Sequence, residues 1–441
     1  MSTSSLGSAP TAWRIEIAPT YRQHIAAGVL AAILAYVLIV YPLGYYGQFV
    51  AADSSGFAPV QTVEPSLLNR LFFPLVAGLG LLMLWLERGR VQRLHLLPAL
   101  PFLLFWLYCG TSALWSLDPG TTIAKFLSLS LVVIATLPAV ATIDSADRFH
   151  RPMYWIVVAT LLINLAFVLL TPPTPIGHAG IYSHKNSLGS TAAFCSMFLI
   201  YGFAQPRRLY RVVSLLLVPV ALYILWRSQA KTSLGLAFIA PTIGAILVFG
   251  RYYFRLPIGF VLAFGVGLAW FVLFSGVFDI APSDISMVIT GDPTFTGRTD
   301  LWTFAVQKIA ERPWFGWGFK AFWQVGDKSP AWEAAPGFVQ RTPHAHEGYL
   351  DLLLQGGIVG FGLFFAAFQT TTSRVTHAID EAPLLGWLMA SILVFEALTN
   401  LLETAWLDPL DPGTVIFISY VGLALSGRAI RRPEVLLRTA Q

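Results

Sequence analysis

The chain has 441 residues, of which 56% are hydrophobic and 12% charged, about half the charge density of an ordinary soluble domain. A mean hydropathy of +0.67, with 32 Phe, 15 Tyr and 14 Trp, excludes a water-soluble enzyme, because an aqueous fold cannot hide so much apolar surface. The net charge of +5 comes from cations scattered singly or in short clusters between apolar runs. This excludes nucleic acid as a partner and points to the lipid bilayer as solvent.

Apolar runs bounded by charge or by Pro/Gly clusters predict an all-α polytopic membrane protein with about twelve transmembrane helices. They fall near 25–43, 67–86, 96–109, 123–142, 153–171, 187–204, 211–227, 232–249, 256–277, 347–368, 384–402 and 413–427. The first run is longer than a signal-peptide core and has no small-residue cleavage site, so it is expected to remain as a membrane helix. Cys109 and Cys195 each lie in or beside an apolar run and read as packing residues, not as a disulfide or zinc framework.

Charge fixes the expected orientation. With the N-terminus inside, the inward loops carry Arg14 and Arg22, then Arg88, Arg90 and Arg93, later Arg148, Arg151, Arg207, Arg208, Arg211, Arg251, Arg255 and Arg374, and finally Arg428, Arg431, Arg432 and Arg438. All six lysines fall on the outer side. Excess arginine in alternate loops is the signature of a bacterial inner (cytoplasmic) membrane protein with both termini cytoplasmic. The chain then divides into an N-terminal bundle of about nine helices (1–277), one large periplasmic loop between helices 9 and 10 (278–346), and about three C-terminal helices (347–441).

Within that loop Asp300 to Glu311 has a helical pattern, with Trp302, Val306 and Ile309 on one face, Thr299 as N-cap and Pro313 as terminator. It is expected to be an amphipathic helix along the membrane surface. The aromatic run Trp314 to Phe319, with Phe322 and Trp323, reads either as interfacial anchors or as a sugar-stacking surface. No internal repeat is visible, which weakens a transporter reading.

Cations at the outer helix ends are costly in lipid unless they pair or face water. Lys185 and Lys231 sit among small polar residues, Tyr182 to Ser187 and Ser228 to Ser233, which suit a hydrated anion site; Arg227 is beside the second of these. With Arg298 they can clamp a pyrophosphate. Thr342-Pro343-His344-Ala345-His346-Glu347 reads as a helix start with Thr342 as N-cap and both histidines in the first turn. Three roles stay open for the pair: half of a metal site, a structural cap, or a general base. Glu403, at the end of an apolar helix, is either a simple negative cap, a partner for an active-site cation, or the group that orients His346.

These segments resemble the bacterial O-antigen ligase and Wzy-type polysaccharide polymerase superfamily. The similarity is carried by Gly180 to Asn186, Ser228 to Ser233, Gly297 to Trp302, Glu311 to Phe319 and His344 to Gly357, in that order along the chain. The resemblance implies a GT-C-like, inverting, metal-independent glycosyltransferase with no cofactor. It would take a glycan from undecaprenyl pyrophosphate at the periplasmic face and pass it to an acceptor glycan. It implies His346 as the catalytic histidine and Arg298 as a pyrophosphate ligand, and it adds Glu347, which stands where the family usually has Asn, to the catalytic pair, either orienting the base or sharing in proton transfer. Lys231 stands where many members have Arg, and Lys185, Arg227, His344 and Glu403 complete the expected substrate site. Chain-length regulator or flippase proteins are possible partners. The Ser-Gln-Ala-Lys-Thr-Ser and Gly-Trp-Gly-Phe-Lys forms resemble the exopolysaccharide polymerase branch, which is the preferred reading. A ligase acting on lipid A core is the alternative, and a lipid-linked oligosaccharide flippase is the rival from another class.

Overall fold

The computed structural model describes residues 19–52, 67–86, 97–143, 146–275, 298–323, 325–335, 339–340 and 342–426. The helices that fill them occupy all twelve predicted positions. The first span, α1, runs from Pro19–Ala35 through a π turn, Tyr36–Val40, into Tyr41–Ala52. It is followed by α2 (Leu67–Leu86), α3 (Leu100–Thr111), α4 (Pro119–Thr142), α5 (Ala146–Leu170) and α6 (Lys185–Phe203). Next come α7 (Arg208–Ser228), α8 (Lys231–Phe254), α9 (Ile258–Ser275), α10 (Arg298–Glu311) and the short α11 (Pro330–Ala334). The last three are α12 (Gly348–Glu381), α13 (Pro383–Thr399) and α14 (Pro412–Ser426).

Among the described residues eight helices are long and apolar enough to cross a bilayer, and Ile258–Phe271, Pro383–Thr399 and Pro412–Leu423 are shorter apolar helices. No strand occurs in the described residues beyond a single bridge between Thr174 and Gly177. The protein is a multi-pass membrane protein of the all-helical class, the architecture lipid demands because each helix satisfies its own backbone polar groups. The arginine clusters at 88–93 and 428–438 lie outside the described residues.

Small residues set how closely the helices approach. A Cβ on Gly80 of α2 would stand 2.2 Å from the Ile134 carbonyl of α4, and one on Gly244 of α8 would stand 2.2 Å from Ser391 Oγ of α13. In a bilayer, where burying apolar surface brings little gain, such close packing supplies the attraction between helices.

A second, smaller core lies over one end of the bundle. Leu301, Trp302, Phe304 and Ala305 of α10 pack with Trp317, Phe322, Ala331 and Ala345, and with Leu350 and Leu354 of α12. This corrects two details of the predicted amphipathic helix. Thr299 lies inside α10, which already begins at Arg298. Val306 is 54% exposed, because the helix turns Leu301, Trp302 and Ala305 inward against the cap.

The longest helix, α12, is broken at Gly357 (φ 59°, ψ −165°), a conformation open essentially to glycine alone. The break leaves backbone groups without intrahelical partners, and the segment after α10 satisfies them. Ile358 N–H donates to the Pro313 carbonyl at 2.8 Å and Val359 N–H to Trp314 at 3.1 Å. In return Trp317 N–H donates to Leu354 at 2.8 Å and Gly318 N–H to Gln355 at 3.0 Å. Tyr108 of α3 adds a hydrogen bond to the Gly356 carbonyl at 2.7 Å. The aromatic run therefore divides between two environments: Trp317, Phe319 and Phe322 are core, while Trp314 and Phe315 are exposed.

At the start of α14, Asp411 accepts the Thr414 N–H at 3.1 Å and faces the buried Glu396 of α13. Burial, and then the charge of Asp408, raise the Asp411 carboxyl above its ordinary value. A carboxyl raised in the folded state favours folding less and less as pH climbs through and beyond the ordinary carboxylate range. Asp411→Asn keeps the cap and removes the ionisation. It is expected to raise the melting temperature in detergent at pH 8 and to give no gain at pH 4.5.

Candidate active site

Glu403, in the loop after α13, is the hub of the site. Its Oε1 receives Arg298 Nη2 at 2.9 Å and Asn186 Nδ2 at 2.9 Å. Its Oε2 lies 3.0 Å from His346 Nδ1. Arg298 also donates through Nη1 to the Leu402 carbonyl. Residues up to 217 positions from Glu403 in the chain are thus joined by one carboxylate, and pairing a cation and contacting His346 occur together in the geometry. Partial burial pushes this carboxyl up, but the His346 hydrogen bond and the Arg298 charge outweigh it and hold Glu403 well below the usual carboxylate range. An ionised carboxylate at Nδ1 fixes the ring with its proton on that nitrogen, leaving the Nε2 lone pair free.

Both histidines lie in a loop, contrary to the expected helix start at Thr342-Pro343. The helix begins at Gly348 with Glu347 as N-cap, its side chain accepting the Leu350 N–H. His346 takes a left-handed conformation (φ 50°) and donates its backbone N–H to His344 Nδ1 at 3.2 Å. The two rings meet edge to face at 4.1 Å. Burial first, and then His346, push the His344 imidazole down to about 3 against the opposing pull of Glu403. His344 is therefore a neutral acceptor that shapes the loop.

Asp351, one turn into α12 and 1% exposed, pins this loop. It accepts from Ala345 N–H at 3.0 Å, Thr404 Oγ1 at 2.7 Å and Trp323 Nε1 at 2.7 Å. The cap, the histidine loop and the Glu403 loop are tied to one side chain.

Glu347 does not face the cluster. It is fully buried, one oxygen caps α12, the other has no hydrogen-bond partner among the described residues, and burial raises its carboxyl well above the ordinary value. The expectation that it shares in proton transfer is replaced by a capping role. Glu347→Gln is expected to keep near-normal turnover. Glu347→Ala should cost about 1 kcal/mol of stability through loss of the cap, read as a lower melting temperature.

Lys185 and Lys231 stand at the first residues of α6 and α8, within electrostatic reach of each other. Lys185 Nζ is 3.4 Å from the Gln229 carbonyl. Two helix N-termini and two ammonium groups here concentrate positive potential of the kind that favours an anion. His184 caps α6 and lies within electrostatic reach of Glu403, Lys185, His346 and Arg298, linking the two groups. Arg227, in the last turn of α7, makes no side-chain hydrogen bond or ion pair with any described residue. His184, Asn186 and Asp351 were missed as site residues, although the first two flank Lys185 and the third follows Glu347 by one helical turn.

Beside the site an apolar groove of about 370 Å³ opens between α9 and α12, lined by Val266, Trp270, Tyr349, Phe361, Phe365 and Trp406 among others. Its lining runs along α12 from Tyr349 to Phe368, on both sides of the break at Gly357. Its upper end, at Tyr349, is three residues from His346. Such a groove suits an extended apolar chain.

Residues 224–365 match the family model described as O-antigen ligase. An O-antigen ligase of Pseudomonas aeruginosa is 23% identical over 343 residues, covering 75% of this chain and 76% of that protein. With the helical bundle, these matches support a class for the chain: a membrane-embedded enzyme of the glycosyltransferase kind. More particularly, they support the O-antigen ligase and Wzy-type superfamily for this chain. The matched segment contains Arg298 and His346 but not Glu403 or Asn186, which the fold brings into one hydrogen-bonded cluster with them.

Proposed function

We propose that the protein transfers a glycan from undecaprenyl pyrophosphate to a hydroxyl of lipid A core, as an O-antigen ligase, at the periplasmic face of the bacterial inner membrane. The observation that carries this reading is the His346–Glu403–Arg298 cluster at the head of an apolar groove. The comparisons favour the ligase over the sequence-based preference for a polymerase, since both matched descriptions read O-antigen ligase.

In this scheme His346 Nε2 takes the proton of the acceptor hydroxyl as its oxygen attacks the anomeric carbon. The bond from that carbon to the pyrophosphate oxygen breaks, the electron pair leaves with the pyrophosphate, and the anomeric configuration inverts. Glu403 stabilises the imidazolium that forms. Lys185 and Lys231 meet the charge growing on the leaving group. Arg298 spends two of its five N–H donors on Glu403 and Leu402 and keeps others for a pyrophosphate oxygen. The polyprenyl tail lies in the groove between α9 and α12.

The test is incubation of the purified protein with a native undecaprenyl-pyrophosphate glycan, with and without lipid A core, followed by product mass analysis. Transfer only when the core is supplied supports the ligase. Longer lipid-linked chains from donor alone would replace it with the polymerase, and transbilayer movement without covalent product with a flippase.

A further inference from the structure

On the side of α12 facing α3, beside the groove and sharing Phe364 with its lining, lies a second apolar surface of different make. Tyr108 and Phe105 of α3 pack there against Gly360 and Phe364 of α12, and lipid-facing Leu104 and Leu107 run up the exposed side of α3. The stripe ends in Leu114, Trp314 and Phe315, which are 86%, 62% and 54% exposed. Trp115 fixes the arrangement: its ring meets Phe315 edge-on at 5.6 Å and its Nε1 donates to the Phe315 carbonyl at 3.0 Å.

Exposed Arg312 completes this surface. Its guanidinium lies 4.1 Å from the Trp317 ring and reaches the Trp115 carbonyl at 3.4 Å. No carboxylate pairs with it among the described residues, and the adjacent Glu311 is held by Lys308 at 2.7 Å. An aliphatic stripe, an aromatic girdle and an unpaired guanidinium follow one another along the bundle. That order complements an amphiphile with acyl chains and an acidic, phosphate-bearing headgroup.

Depth says what such a lipid must carry. The segment bearing Trp314 and Phe315 is bonded to α12 at its break, Gly357, nine residues below the helix start that follows His346. At the helical rise this is about 14 Å along the axis. An acceptor whose headgroup rests at this level needs a stem of comparable length between headgroup and hydroxyl to reach the imidazole.

We infer that the Leu114–Trp314–Phe315–Arg312 surface docks the acceptor: a phosphate-bearing lipid that presents its hydroxyl on an oligosaccharide stem. This rests on the glycan-transfer reading above. It separates the two lipid substrates, with the donor tail on the α9 side of α12 and the acceptor lipid on the α3 side.

The experiment uses the full chain in nanodiscs, as wild type, Arg312→Gln, Trp314→Ala/Phe315→Ala and His346→Ala. Retention of lipid A core is read by native mass spectrometry, independently of turnover. Transfer is measured with intact lipid A core and with its deacylated, dephosphorylated oligosaccharide. The surface variants are expected to lose retention of the lipid and to show at least a tenfold higher KM for it, with unchanged kcat and unchanged KM for the soluble oligosaccharide. His346→Ala is expected to retain the lipid. Equal retention by all four proteins would overturn the docking surface, as would equal loss on both acceptors, the result for a simple membrane anchor. Retention that depends on Arg312 without transfer to either acceptor would sink the glycan-transfer reading and leave the lipid site standing.

Discussion

His346→Ala is expected to lower kcat for glycan transfer by about 10²–10⁴-fold, the usual worth of a positioned general base, while donor binding and expression stay close to wild type. The ring touches the site through Nδ1 and the carboxylate of Glu403 at 3.0 Å and is only partly exposed, so its removal leaves the loop's anchors at Ala345 and Thr404 on Asp351 in place. Glu403→Gln should lose less. The amide preserves shape and can still accept a hydrogen bond, but it no longer stabilises an imidazolium and it leaves Arg298 without its ion-pair partner. The double variant separates a relay from two independent contributions. If Glu403 works through His346, combining the changes costs little beyond His346→Ala alone, because groups that act as a unit are not additive. Fully additive losses in kcat would break the relay and return Glu403 to a purely structural part.

The helices were legible because lipid makes the rule local: a span needs about twenty consecutive apolar residues, and each such run closes its own hydrogen bonds. The start of α12 was not, because two signals conflict there. Thr342-Pro343 is a good local start, but buried Asp351 draws the Ala345 N–H to itself, and Glu347 caps the helix five residues later than the proline suggests. Long-range contact decided against local propensity, and the consequence is chemical. A histidine in a loop at φ 50° can turn its Nδ1 to Glu403 in a way that a residue of the first helical turn need not.

The candidate site shows the same division. Lys185, Lys231, Arg298 and His346 stand out in sequence because cations and imidazoles at the membrane boundary need a reason to be there. Asn186 carries no such signal; it is an ordinary polar residue until the fold brings it 2.9 Å from Glu403. Val306 was misplaced because α10 packs under a cap whose core includes residues from α12, so its buried stripe is set by tertiary contact. Nor does any single residue encode the choice of acceptor. In the proposal above it falls to a surface assembled from the end of α3 and the segment after α10, about 200 residues apart.

Gly357→Ala should be the most damaging single-methyl change on α12. At φ 59° and ψ −165° an alanine is strained by about 1–3 kcal/mol. Its Cβ would also stand 2.4 Å from the carbonyl carbon and oxygen of Trp314, backbone atoms that cannot rotate away. Relief requires either straightening α12 through the break or pushing the Pro313–Gly318 segment off it. Either course loses hydrogen bonds from Ile358, Val359, Trp317 and Gly318, and each backbone group left unsatisfied away from water costs about 1–3 kcal/mol. The expected result is a large fall in melting temperature in detergent with loss of transfer, since the same segment leads into the cap that holds Trp323 against Asp351. Gly362→Ala on the same helix is the control. No atom lies within 4 Å of its added Cβ, and alanine there should be neutral or stabilising by about 0.5–1 kcal/mol. Equal melting temperatures for the two variants would mean that α12 straightens without penalty and that the bonds across its break do not hold the cap.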